Sequence, residues 1–292
     1  MMQSERFACR LAILFLLVAS VASVGQDVAT DDATNKWPLI WSDEFDRDGR
    51  PDPEKWDFEV GFVRNQEAQW YQPENAWCEN GLLIIEARRE TVPNPRYEPG
   101  SGDWKRSRQK AEYSSACLRT RGLHSWQYGR FEMRGRIDTR AGLWPAFWML
   151  GTTGPWPSCG EIDIMEYYRG RLLANVAWGT DRRWVARWDT VEVPISALND
   201  PDWSSRFHIW RMDWDKSSIK ILVDGRLINE TDLSRTRNLR PPPENPFWQP
   251  HYMLVNLAIG GTNGGDPSGT EFPARLEVDY VRVYQQPAGT AE

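Results

Sequence analysis

Residues 160–168 read Gly160-Glu161-Ile162-Asp163-Ile164-Met165-Glu166-Tyr167-Tyr168. Acids alternate with β-branched residues at the start of this run, which predicts a strand over Glu161–Tyr168. On a regular strand Glu161 and Asp163 share one face and Glu166 takes the other. A one-residue bulge at Ile164-Met165 returns Glu166 to the face of the first two, and bulges are over-represented beside functional sites. The flanking Ile162, Ile164, Met165 and Tyr167 argue against a freely solvated acidic strand.

Outward from this run the same pattern repeats. In Arg130 to Asp138, Phe131, Met133 and Ile137 alternate with Glu132, Arg134, Arg136 and Asp138, as a half-buried strand requires. Further strands are predicted at 81–87, 129–138, 142–150, 172–179, 208–214, 219–223, 252–259 and 276–284, and Asp224-Gly225 is a hairpin turn signal. Long amphipathic helices and a βαβ rhythm are both missing, so the predicted class is all-β: a two-sheet antiparallel β-sandwich of jelly-roll type in one large domain. Pro93 to Gln109 and Thr231 to Pro250 interrupt the pattern and are candidate rims of a cleft or plain surface insertions.

The 292 residues include 17 Trp, far above ordinary usage. Such rings fill cores, and they also give flat apolar faces for ligands of mixed polarity, sugars among them. A formal net charge of -6 leaves no electrostatic footprint for nucleic acid. Arg6 and Arg10 precede an apolar run from Leu11 to Val24, so residues 1–25 are expected to be an export signal and the protein secreted or periplasmic. Residues 26–35 form a polar leader, 36–286 the sandwich and 287–292 a disordered tail, with no segment long enough to span a membrane. Beyond the signal, Cys78, Cys117 and Cys159 leave at least one thiol unpaired, with Cys78 and Cys117 a candidate pair.

With the bulge, Glu161 and Glu166 stand effectively four strand positions apart, roughly 13 Å between Cα atoms at about 3.3 Å per residue. Side chains leaning together reduce this to about 5–5.5 Å between carboxyls, the spacing of a retaining glycosidase. Like charges this close carry an electrostatic cost, but they let one carboxyl stay ionised while its neighbour keeps a proton.

Glu161-Ile162-Asp163-Ile164-Met165-Glu166 resembles the bulged Glu-x-Asp-x-x-Glu signature of glycoside hydrolase family 16, as in laminarinases, agarases and carrageenases. The resemblance extends to Trp41-Ser42-Asp43-Glu44-Phe45, Asn65-Gln66-Glu67-Ala68-Gln69-Trp70-Tyr71, Leu143-Trp144-Pro145-Ala146-Phe147-Trp148 and Asp279-Tyr280-Val281-Arg282-Val283-Tyr284. It implies a concanavalin A-like jelly roll with a carbohydrate-binding cleft. It also implies a covalent mechanism with Glu161 as nucleophile, Glu166 as acid and base, and Asp163 hydrogen-bonded to Glu161. Trp144 is then expected near the cleft with Asn65, Glu67 and Arg130 as polar partners. Trp148 is open between core and cleft. Trp178, Trp184 and Trp188 are candidates for the leaving-group side, although Trp178 stands where laminarinases usually carry His. His208 is expected to be structural. No cofactor is implied for catalysis, but Asp279 matches the position of a structural calcium ligand in many members, or is an ordinary surface acid. The expected partner is a polysaccharide and the expected state a monomer. β-1,3-Glucan is the first substrate expectation and a β-galactan the second. A transglycosylase and a non-hydrolytic carbohydrate-binding jelly roll are the alternatives in activity.

Overall fold

In the Gly129–Ile137 strand, Phe131, Met133 and Ile137 are fully buried while Glu132, Arg134 and Arg136 alternate outward. A strand with one apolar face must cover it with a second sheet, and the chain does so throughout. The computed structural model describes residues 37–286. The expected export segment 1–25, the polar leader 26–35 and the tail 287–292 lie outside the described residues.

Two antiparallel sheets make up the sandwich. The cleft sheet runs Ala186–Pro194, Arg171–Gly179, Glu161–Tyr168, Leu143–Gly151, His251–Ile259, Cys117–Arg119, Asp57–Phe58. The back sheet runs Arg226–Asp232, Ser218–Val223, His208–Trp214, Gly129–Ile137, Ala274–Tyr284, Leu82–Ala87, Ala76–Glu79, and Leu39–Asp43 also pairs with Ala274–Tyr284. Trp178, Trp203, Trp210 and Trp214 join the aliphatic residues of the core between the sheets. The predicted hairpin forms: Asp224 and Gly225 both adopt positive φ, and Val223 pairs with Arg226.

The two long connections play a different part from the rim expected of them. Neither lines the cleft; each holds a segment that does. Arg108, at the end of the first, donates to the carbonyls of Glu67 (2.6 Å) and Gln66 (2.9 Å). Asn238, in the second, accepts from the Gly179 backbone N–H (2.7 Å) and donates to the Ser158 carbonyl (2.8 Å), steadying the 151–160 loop. Cys78 and Cys117 do not pair. They lie in opposite sheets, and all three described thiols are free and buried.

Candidate active site

The bulge lies where the acids require it. Glu161, Ile162 and Asp163 pair with Ala177, Val176 and Asn175, whereas Glu166 and Tyr167 pair with Leu173 and Leu172. One extra residue therefore sits between Asp163 and Glu166. The slip shows equally against the other neighbour, where Trp148 faces Asp163 and Phe147 faces Met165. Ile164 and Met165 both turn into the core beside Ile162 and Tyr167. Glu161, Asp163, Glu166 and Tyr168 all face one cleft of about 730 Å³. Gly160 makes the entry turn with φ +83°, and a Cβ there would meet Pro246, His251 and Phe247 at 2.9–3.1 Å.

Each glutamate has its own donor. Trp144 Nε1 donates to Glu166 Oε1 (2.7 Å), and Trp156 Nε1 donates to Glu161 Oε2 (2.9 Å). Asn175 Nδ2 bridges Asp163 Oδ2 (3.1 Å) and Glu166 Oε2 (2.8 Å). Among the described residues no Asp163–Glu161 hydrogen bond forms, so the bond expected from the family is replaced here by the Asn175 bridge. Burial pushes Glu166 up to about 8, the Trp144 bond opposing this and the charge of Glu161 adding to it. Burial pushes Glu161 up to about 7 against the pull of the Trp156 N–H and the Arg64 charge. Asp163 is raised well above the carboxylate range by burial and then by both glutamates. Such a cluster holds protons at neutral pH and leaves its lowest member, Glu161, as the first to ionise.

The strand rows set the walls. Across the sheet Glu161, Ala177 and Trp188 align, as do Asp163, Asn175 and Thr190, and Glu166, Leu173 and Glu192. On the other side Trp144, Ala146, Trp148 and Leu150 present one face of the Leu143–Gly151 strand to the cleft. Trp148 Nε1 donates to Asn256 Oδ1 (2.7 Å), and the Arg64 guanidinium lies 4.9 Å from its ring centre. Trp148 therefore serves the cleft. Asn65 and Glu67 line it as expected, with Glu67 held by Gln69 Nε2 (2.7 Å) and Asn65 in a positive-φ turn. That turn packs on Gly261, where a Cβ would come within 2.7 Å of the Asn65 carbonyl oxygen.

Three residues expected at the cleft fall elsewhere. Arg130 lies on the back sheet, paired with Asp213 (Nε–Oδ1 2.8 Å), because Phe131 and Met133 claim the inward face of its strand. Trp178 shares the parity of Leu172, Ala174 and Val176 and is turned into the core. Trp184 is 55% exposed in the hairpin before Ala186–Pro194 and does not line the cleft. Asp279, the candidate calcium ligand, forms an ion pair with Arg134 (Nη1–Oδ2 2.5 Å). No group of three or more acidic, His or Cys side chains occurs among the described residues. His208 is structural, bonded to Asp224 Oδ2 (2.7 Å) and the Trp203 carbonyl (2.8 Å). Arg64, Trp156, Tyr168, Asn175, Thr190, Glu192 and Asn256 line the cleft without having been singled out in the sequence.

The family model described as "Glycosyl hydrolases family 16" matches residues 101–282. The chain belongs to this family. Among its relatives is a β-glucanase of Rhodothermus marinus, 38% identical over 98% of this chain and 97% of that protein. The X-ray structure of the laminarinase from Rhodothermus marinus superposes with a TM-score of 0.69 at 39% identity, covering 85% of this chain and 97% of that one. A structure from work on endo-acting O-glycanases of human gut microbiota that initiate mucin breakdown gives 0.78 at 33% identity, covering 87% and 92%. This family 16 member is thus a glycoside hydrolase whose two glutamates and intervening aspartate stand on a bulged strand of a jelly roll.

Proposed function

We propose that this family 16 enzyme is an endo-β-glucanase acting on β-1,3-glucan, with retention of anomeric configuration. The observation that carries the proposal is the bulge that turns Glu161, Asp163 and Glu166 into one cleft and gives each glutamate a separate indole donor. In this mechanism the Glu161 carboxylate attacks the anomeric carbon and forms a glycosyl ester. Glu166 gives its proton to the departing glycosidic oxygen as that C–O bond breaks. Glu166, now ionised, takes a proton from water, whose oxygen displaces Glu161 and restores both carboxyls. Asn175 orients Glu166 next to a protonated Asp163, so the cluster carries little more than one negative charge at a time.

The names of the relatives support the glucan: a β-glucanase and a laminarinase of Rhodothermus marinus. The departure at Trp178 lies in the core and so leaves the sugar contacts untouched. A β-galactan or mucin-type glycan is the second reading, favoured by the 0.78 superposition on the O-glycanase structure. Residues 1–25 would export the chain to meet a polymeric substrate.

Incubation with laminarin, mixed-linkage β-glucan, an agar-type galactan and mucin glycans, with the products identified, tests the substrate. Internal oligosaccharides from laminarin, with the β-anomer first in early NMR spectra, are expected. Release from galactan or mucin alone would replace the substrate, and an α-anomer formed first would reject retention.

A further inference from the structure

Arg64 is the one basic side chain among the described residues that line the cleft, where it faces Glu67, Glu161, Asp163, Glu166 and Glu192. A guanidinium keeps its charge at every pH the protein survives, so it acts on its neighbours as a constant field. Its position is fixed from two sides. Its plane rests over Trp148 at 4.9 Å, and Nη2 pairs with Glu59. Glu59 is held in turn: its backbone N–H donates to the Cys117 carbonyl (3.0 Å), and Arg119 Nη1 lies 3.8 Å from its Oε1. Arg119 is anchored to Asp57 at 2.6 Å. A ladder of alternating charge thus runs from the surface to the floor of the cleft and ends on Trp148, the cross-strand neighbour of Asp163.

We propose that Arg64 is a positioning residue of the catalytic site, which biases the shared charge of the carboxyl cluster toward Glu161 and braces Trp148. The proposal rests on Glu161 being the nucleophile. The two glutamates share burial and an indole donor; they differ in what charge reaches them. The Arg64 charge favours ionised Glu161, whereas Glu166 feels chiefly the repulsion of Glu161. The other ionisable groups around the cluster are Asp163, Tyr168 and Cys159 along its own chain segment, Glu59, Glu67 and Tyr71 on the adjoining segment, Cys117, Glu192 on the far wall, and two arginines further out, Arg121 acting on Cys159 and Arg169 acting on Tyr168. Negative charge on any of the acids opposes ionisation of Glu161. Of the basic groups, Arg64 is the one that lines the cleft and whose charge reaches Glu161.

The test is the pH dependence of kcat/KM on a laminarin oligosaccharide for the full chain with Arg64→Gln, Arg64→Lys or Glu59→Gln. Arg64→Gln should move the acid limb up by about one pH unit, a roughly tenfold loss on the acid side, as expected when an opposite charge is withdrawn from a carboxylate. Arg64→Lys should restore most of the limb. Glu59→Gln, which removes the competing negative charge, should move it down. An Arg64→Gln limb that coincides with the parent's while KM rises would overturn the proposal and make Arg64 a sugar contact. Should Arg64→Gln fail to fold, an unmoved or upward-moved limb in Glu59→Gln overturns it instead. Glu161→Ala with azide separates the underlying assignment: a glycosyl azide of inverted configuration supports Glu161 as nucleophile whatever Arg64 does, and its absence removes that assignment.

Discussion

Replacing Glu166 by Gln should make the protein more stable at alkaline pH while nearly abolishing hydrolysis. Burial carries the Glu166 carboxyl from its ordinary 4.5 to about 8, so the folded state binds a proton that the unfolded chain releases across that interval. Folding stability therefore falls as pH rises from about 4.5 to about 8, and the full penalty persists above it. Taken alone the displacement corresponds to roughly 5 kcal/mol at about 1.4 kcal/mol per pH unit. That displacement, caused first by burial, belongs to a cluster in which Glu161 and Asp163 also titrate, and the buried amide that replaces the carboxyl is itself desolvated, so one substitution relieves only part of it, about 2 kcal/mol. For a domain of this size that is about 4–8 °C in Tm. Local bonding survives the change, because the amide oxygen still accepts the Trp144 N–H. Asn175, whose Oδ1 is buried without a partner, can turn to receive the new N–H. Thermal melts of parent and variant from pH 4 to pH 9 decide the matter. Curves that converge near pH 4 and separate above pH 7, variant higher, are expected; a difference independent of pH, or a variant less stable at pH 8.5, would refute the reasoning.

Trp156→Phe removes the N–H that holds Glu161, so the acid limb of kcat/KM should rise and kcat near pH 6 should fall about tenfold, as for a lost charge-assisted hydrogen bond of about 1.5 kcal/mol. Trp188→Ala strips an exposed ring from the wall facing Glu161 across Ala177; KM should increase several-fold with kcat less affected, measured on oligosaccharides of graded length. Calcium or a chelator should leave the Tm within a degree, since Arg134 already neutralises Asp279. A thiol reagent added after unfolding should label Cys78, Cys117 and Cys159 without prior reduction.

The catalytic strand was legible because three acids and four apolar residues in eight positions admit only one arrangement that buries the latter and gathers the former. The strands predicted elsewhere came within two residues of their bounds, as at His208–Trp214 and Ala274–Tyr284, whereas the short Leu39–Asp43 and Ala76–Glu79 carry too few residues to show a period. Ala186–Pro194 was missed although Thr190-Val191-Glu192-Val193 alternates: one face is exposed, the other only half-buried, and Arg187-Trp188-Asp189 ahead of it hides so short a period. The misplacement of Trp178 was avoidable, for Leu172, Ala174 and Val176 already fixed its parity. Parity also turns Arg130 away from Phe131, yet it does not say to which sheet the strand belongs. Arg64 and Trp156 sit on irregular segments, where side-chain direction follows from tertiary contacts and spacing is silent. Asn175 becomes visible only through its pairing with Asp163, a long-range register that no local window contains.

The ribbon Ala186–Pro194 closes the cleft sheet and is hydrogen-bonded along one side only. Trp188, Thr190 and Glu192 line the cleft from this margin, and Thr190 pairs with Asn175, whose side chain bridges Asp163 and Glu166. A hairpin grafted from another member of the family at 180–194 that keeps Thr190 and Glu192 should redirect the polymer accepted while leaving the Asn175 bridge in place. Lineages could diversify their diet at this margin, one exchangeable border at a time.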